Sequence, residues 1–305
     1  MDLDGYVALA GFVVGFVVGL TGMGGGALMT PILVVVFNVQ PLAAVSSDLA
    51  AAVVMKPIGG GVHLRRGTVH LGLVRWLCVG SIPAAFVGVL ILKSLGTGQQ
   101  LQDRVSTVLG VALLVAAAAI VAKALVQRGR KFDTAVHDVT VRPVPTVLIG
   151  VLGGLVVGMT SVGSGSLMIV LLLVLYPALQ SSQLVGTDLV QAIPLVASAA
   201  LGHVLFGDFQ LGLTSSLLIG SVPGVYLGAR ASSQAPDHVI RPILVLVLTL
   251  SSLKLLQVSN TWLGVVLGAG LLVLTALAVL ARRRVVHERV AVEDREDEPA
   301  GDSSP

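Results

Sequence analysis

The chain has 305 residues, of which 55% are apolar and only 11% charged, with a formal net charge of +3. Soluble domains run at roughly 45–50% apolar and about 25% charged, so a soluble all-α protein is excluded. The single cysteine, Cys78, leaves no intrachain disulfide and no thiolate cluster for zinc. Basic residues sit mostly in the intervals between apolar runs and in the tail, where they read as topology signals and not as a nucleic-acid surface.

The start, Met1-Asp2-Leu3-Asp4, is acidic, and no small-residue cleavage site follows the first apolar run, which argues against a removable signal peptide. Uncharged runs such as Tyr6–Leu20, Val105–Ala122, Val144–Leu155 and Trp262–Ala281 approach or reach the length needed as helix to cross the hydrocarbon layer, about 18 or more residues for ~30 Å. In chain order the pattern predicts a glycine-broken apolar segment at 5–38 and helices at 43–63, 70–92 and 104–127. A polar linker follows at 128–143, then a second broken segment at 144–176 and helices at 184–205, 210–231 and 238–257. A further apolar segment, 261–281, has no counterpart and looks appended, and Arg282–Pro305 is charge-rich with few large apolar residues, so it is expected to be disordered.

The chain aligns with itself. Gly15, Gly19, Thr21, Gly24, Gly26, Leu28 and Met29 recur with the same spacing as Gly154, Gly158, Thr160, Gly163, Gly165, Leu167 and Met168. After a one-residue shift, Asp48, Leu49, His63, Gly67 and Leu71 match Asp188, Leu189, His203, Gly207 and Leu211, and Gly80-Ser81, Pro83 and Gly88 match Gly220-Ser221, Pro223 and Gly228. Glycine and leucine coincidences are cheap in an apolar chain; a spaced Asp, His and Pro are not. Basic clusters at Arg65-Arg66, at Arg128, Arg130, Lys131 and Arg142, and at Arg282-Arg283-Arg284 all fall in the cytoplasm only if 144–176 enters and returns, or crosses an even number of times. Each copy then makes an odd number of passes and the second is inverted, an architecture common among secondary transporters. Lys93 and Arg104, near an outer loop, run against this rule.

The predicted fold is therefore all-α and polytopic: two inverted repeats, each a glycine-broken hairpin plus three helices, with one appended C-terminal helix. The organisation is a first transmembrane repeat at 1–127, a cytoplasmic linker at 128–143, a second repeat at 144–257, an appended transmembrane helix at 258–281 and a disordered cytoplasmic tail at 282–305.

Three groups of residues could carry chemistry. The breaks Thr21-Gly22-Met23-Gly24-Gly25-Gly26 and Thr160-Ser161-Val162-Gly163-Ser164-Gly165-Ser166 cannot hold a helix well, since each glycine costs about 1 kcal/mol relative to alanine. Unwound backbone at membrane depth must be buried in protein or line a watery cavity. New helices starting near Ala27 and Leu167 would aim amides and positive dipole ends there, with hydroxyls from Thr21, Thr160, Ser161 and Ser164, which suits an oxyanion. The competing reading is close helix packing through small residues. No Gly-Lys-Ser/Thr follows a break, so ATP-driven transport has no support. Asp48 and Asp188 are expected either to bind a coupling proton or cation or to cap helix N-termini at the membrane edge. Lys56 follows Asp48 along one helical stripe, suited to an anion or to pairing with Asp48, while His63 and His203 near helix ends are candidates for proton gating or interfacial hydrogen bonding.

Taken together, the Gly-rich break followed by Leu28 and Pro31, the Asp48-Leu49 and Gly186-Thr187-Asp188-Leu189 segments, His63/Gly67 and His203/Gly207, and Gly-Ser-x-Pro at Gly80 and Gly220 resemble the sulfite exporter TauE/SafE family from about residue 8 to 257. The resemblance implies a membrane carrier of sulfite, sulfoacetate or related organosulfur anions, typically outward and without ATP. It places the anion path between Thr21–Gly26, with Gly22, Gly24, Gly25 and Gly26, and Thr160–Gly165, with Ser161, Gly163 and Ser164, flanked by Asp48 and Asp188. Ser46-Ser47-Asp48 departs from the Gly-Thr-Asp of the second copy.

The expected protein is a multi-pass secondary transporter of the cell (plasma or inner) membrane, not an enzyme, using no cofactor and no resident metal. Its partners are a small inorganic or organosulfur anion and the lipid bilayer, without nucleic acid; glycine-rich surfaces permit a homo-oligomer. Two rivals stay open: a divalent-cation carrier using Asp48, Asp188, His63 and His203, and a membrane anion sensor that transports nothing.

Overall fold

The computed structural model describes residues 4–21, 25–128, 139–207, 209–231 and 237–272. The described residues are helical with short connections: α1 (Gly5–Thr21), α2 (Gly26–Val35), α3 (Pro41–Arg65), α4 (Leu71–Ser94), α5 (Gly98–Arg128), α6 (Pro143–Thr160), α7 (Leu167–Leu175), α8 (Ser181–Phe206), α9 (Leu211–Ala231) and α10 (Asp237–Leu255). An eleventh helix, α11 (Asn260–Leu272), belongs to a separate unit that begins at Asn260, and the predicted continuation to 281 and the tail at 282–305 lie outside the described residues, as does 129–138 of the linker. Six helices, α3, α4, α5, α6, α8 and α9, are long and apolar enough to cross a bilayer.

Local chemistry sets these boundaries. Pro41 and Pro143 open α3 and α6 at first-turn positions where a missing N–H costs nothing. His70 caps α4 by accepting from the Leu73 amide at 3.3 Å, and Gln180 with Gln183 forms a capping box on α8. Ser161 ends α6 in the left-handed region at φ 59°, and Gly163 and Gly165 follow at φ 122° and 90°, conformations that rule out continued helix.

Both predicted breaks are present. In the second copy the chain folds back on itself: a methyl on Gly153 of α6 would meet Met168 Sδ of α7 at 2.6 Å. The returning legs are short, 10 residues in α2 and 9 in α7. At 1.5 Å per residue these span about 15 and 14 Å, roughly half the hydrocarbon thickness. Each hairpin is thus one long leg and one half-length leg, and not two full crossings.

The two copies pack crosswise. α1 lies against α9, and the equivalent pair, α4 and α6, meets in the same way; α3 contacts α8, and α5 contacts α10. Glycines allow the crossings: Gly15 sits on the Ser221 backbone and its counterpart Gly154 on Ser81, where an added Cβ would stand 2.6 and 2.5 Å from the carbonyl oxygens. Small residues that bring backbones this close are a hallmark of helix packing in lipid, so packing accounts well for the glycines outside the breaks. The cores are correspondingly shared, one joining Val45, Leu49, Leu77, Val157, Met168 and Leu195 from five helices of both copies.

Candidate functional site

The breaks meet each other. Gly26, at the start of α2, abuts Ser161, at the end of α6, so closely that a side chain on Gly26 would overlap the Ser161 carbonyl. Gly25 precedes it, and a Cβ there would lie 3.2 Å from Met55 and 3.9 Å from Asp48 Oδ1. Gly22 and Gly24 lie outside the described residues, as does the Thr21 side chain. Neither new helix is capped by a side chain: Gly25 has none, and Ser166 makes no capping bond at α7.

Asp48 stands two turns inside α3 and Asp188 two turns inside α8, so neither caps a helix, contrary to the capping reading of the sequence. Asp48 is fully buried. Its Oδ2 accepts from Thr30 Oγ1 of α2 at 2.8 Å and from Ser161 Oγ of the second break at 2.7 Å, so one carboxylate ties the two copies together. Among the described residues its Oδ1 has no hydrogen-bond partner, nor have the buried hydroxyls of Ser47 and Ser166.

Lys56 is also buried, and its Nζ donates to Ser164 Oγ of the opposite break at 2.7 Å. The sequence suggested an anion contact or pairing with Asp48 along α3; the lysine reaches across to the other copy, where both Asp188 and Asp48 attract it. Asp188 accepts from Gln191 Nε2 at 3.1 Å, and Lys56 and Lys123 of α5 attract it. Thr160 turns its hydroxyl onto local backbone, accepting from the Val162 amide at 3.1 Å, and so shapes the break.

The histidines stand at opposite ends of the α3–α8 contact. His203 is fully buried, Nδ1 bonded to Ser46 Oγ and Nε2 to the Gly158 carbonyl, each at 2.9 Å, joining α3, α6 and α8. His63 is half-buried and bonds Thr68 Oγ1 of the next turn at 2.8 Å, near Gly186, which takes the place of Ser46 in the second copy. The structure thus brings Asp48, Lys56, Asp188, Ser161, Ser164, Gly25 and Gly26 together and leaves both histidines outside that group. Among the described residues no three His, Cys, Asp or Glu side chains converge as metal ligands do.

Sequence reading missed Thr30, Ser46 and Gln191. Gln191 was discoverable, since Asp188-x-x-Gln191 puts two polar side chains on one face of an apolar helix. Thr30 and Ser46 carried no such signal. The two copies have also diverged in kind: Lys56 and Thr30 face Val196 and Ile169 in the repeat, whereas Ser161 and Ser164 replace Gly22 and Gly25. Each copy supplies one carboxylate, but the lysine comes from the first alone and the break hydroxyls Ser161 and Ser164 from the second alone.

The family model for the sulfite exporter TauE/SafE matches residues 7–255, the broken hairpins and every helix through α10. The chain belongs to the TauE/SafE family. It is 35% identical over 252 residues to the probable membrane transporter protein YjnA of Bacillus subtilis (strain 168), covering 82% of this chain and 98% of that one. To the probable membrane transporter protein YdhB of the same organism it is 24% identical over 259 residues, covering 82% and 99%. No solved structure matches it. The protein is accordingly a multi-pass membrane transporter of this family and not an enzyme.

Proposed function

We propose that this transporter is a secondary carrier of small sulfur oxyanions or organosulfonates in the cell membrane, with the anion held where the two breaks meet. The observation that carries this reading is the meeting of the uncapped start of α2 with the second break, where Lys56 bonds Ser164 and the equally uncapped α7 begins after the buried Ser166. Helix N-termini favour negative charge, and low-dielectric surroundings strengthen that preference. Crosswise pairing of equivalent helices, read with the basic clusters, supports two oppositely inserted copies that rock against each other to expose the site alternately. The outward direction of this reading rests on the family's description as a sulfite exporter.

Proteoliposomes loaded with labelled sulfite test this directly. Protein-dependent efflux, slowed by competing sulfoacetate and unaffected by divalent cations, is the expected result. Absence of flux for sulfite and every sulfonate tried, despite a folded protein, would defeat it; tight binding without flux would point to a sensor. The presence of two buried carboxylates against Lys56 keeps a cation carrier as the second reading, although His63 and His203, which that reading also needs, lie outside the cluster.

A further inference from the structure

The anion site carries a charge problem that its own residues can resolve. Two carboxylates and one lysine are buried together, so with all three ionised the site is already negative. An anion entering beside a bare, desolvated carboxylate is repelled, and buried charges of like sign cannot both be tolerated without a compensating partner. The two carboxylates differ in how they are held. Asp188 accepts from Gln191, with Lys56 and Lys123 both attracting it. Asp48 has both its donors on Oδ2, while Oδ1 is buried, without a partner among the described residues, and faces Gly25 of the first break. A buried carboxylate oxygen without a partner is costly, and a proton there turns an acceptor with nothing to accept into a donor.

We propose that Asp48 is the proton carrier of this site: it receives the anion only when Oδ1 bears a proton, which it then donates to an anion oxygen in a hydrogen bond, so anion and proton travel in the same direction. Asp188 has the separate task of balancing Lys56. The groups facing Asp48 are Thr30 from α2, Ser161 from the end of α6, and Lys56 from its own helix, with Asp188 of α8 reached through Lys56; among these only Lys56 and Asp188 carry charge. The proton is only relocated, from the aqueous phase on one side to Asp48 and out to the other, and no bond of the anion changes. For a divalent oxyanion the co-moving proton leaves one net negative charge, so an inside-negative potential drives export, with about a fiftyfold gradient per 100 mV. The inference rests on the anion-carrier reading above.

The test uses the full-length protein in proteoliposomes, with labelled sulfite as probe and a trapped pH dye. Wild-type sulfite efflux should carry protons outward, and sulfite–sulfite exchange should fall about tenfold per pH unit above its midpoint, as single-proton linkage requires. Asp48→Asn, which cannot titrate, should flatten the pH profile of the exchange that remains and abolish the proton signal; Asp48→Glu should restore both. An Asp48→Asn protein that still moves protons with sulfite overturns the proposal. Should the Asn variant fail to fold, Ser161→Ala, which strips one donor from Oδ2, must displace the pH midpoint of exchange, and an unmoved midpoint also overturns it. Wild-type sulfite flux with no proton movement rejects this inference alone, whereas no sulfite flux at any pH rejects the anion-carrier reading on which it rests.

Discussion

Gly26→Ala tests whether the contact between the breaks holds the site in shape. A methyl on Gly26 would stand 2.6 Å from the Ser161 carbonyl carbon and 2.7 Å from its Oγ, whereas ordinary contact begins at 3.4 Å. The carbonyl oxygen is closer still, so the two breaks must separate by more than 0.8 Å, and the obstruction on one side is backbone, which cannot rotate away. Ser161 Oγ is the same hydroxyl that donates to Asp48 at 2.7 Å, so a shift of that size stretches the bond to the limit of hydrogen bonding. Overpacking costs about 1–3 kcal/mol, and weakening a hydrogen bond to a charged group about 1.5–3 kcal/mol more. Gly25→Ala is the control, because its methyl meets only the mobile end of Met55 at 3.2 Å, and its φ of −56° suits any residue. Thermal unfolding in detergent and sulfite exchange in proteoliposomes measure the two effects. Gly26→Ala should melt well below wild type and lose exchange, with Gly25→Ala close to wild type in stability. A Gly26→Ala protein with wild-type melting and flux would refute the reasoning.

Lys56→Met removes the donor to Ser164 and the local positive charge at similar length; sulfite affinity, measured by competition, should fall about ten- to a hundredfold, the worth of one charged hydrogen bond. Improved flux with anions no longer competing would favour the cation reading. His203→Ala takes the partner from the Gly158 carbonyl and one of two from Ser46 Oγ, which keeps its bond to the Leu42 carbonyl, and should cost about 1–3 kcal/mol. His63→Ala should cost about 1 kcal/mol or less, since that side chain is half-exposed and bonds Thr68 just past the end of α3; equal losses in melting temperature would contradict this. Gly220→Ala should destabilise the α1–α9 crossing, where its methyl would overlap Ala8 and stand 2.7 Å from Phe12 N. Gly61→Ala, with open space around it, should be neutral or more stable by about 0.5–1 kcal/mol.

Much of the fold was legible in the sequence because insertion and helix formation are local. Apolar run length and the Arg clusters mark the spans, and proline and glycine mark their ends: Pro41 and Pro143 start helices, and the breaks fall where Thr21 and Thr160 precede glycine. The predicted helix at 104–127 is longer, from Gly98, because its first turns are polar and carry no hydropathy signal. Recurrence of Asp, His and Pro revealed the duplication, since spacing is preserved even where packing is unknown.

Partnership was a different matter. Hydropathy says that a helix is buried but not how it is rotated, and glycine stripes fit many crossings equally well. Only the tertiary structure decided that Asp48 is held by Thr30 and Ser161, that Lys56 leaves its own helical stripe for Ser164, and that His203 is sealed where His63 is not. Each of these depends on the depth and rotation of helices far apart in the chain, quantities set by the crosswise packing of the two copies and by no residue alone.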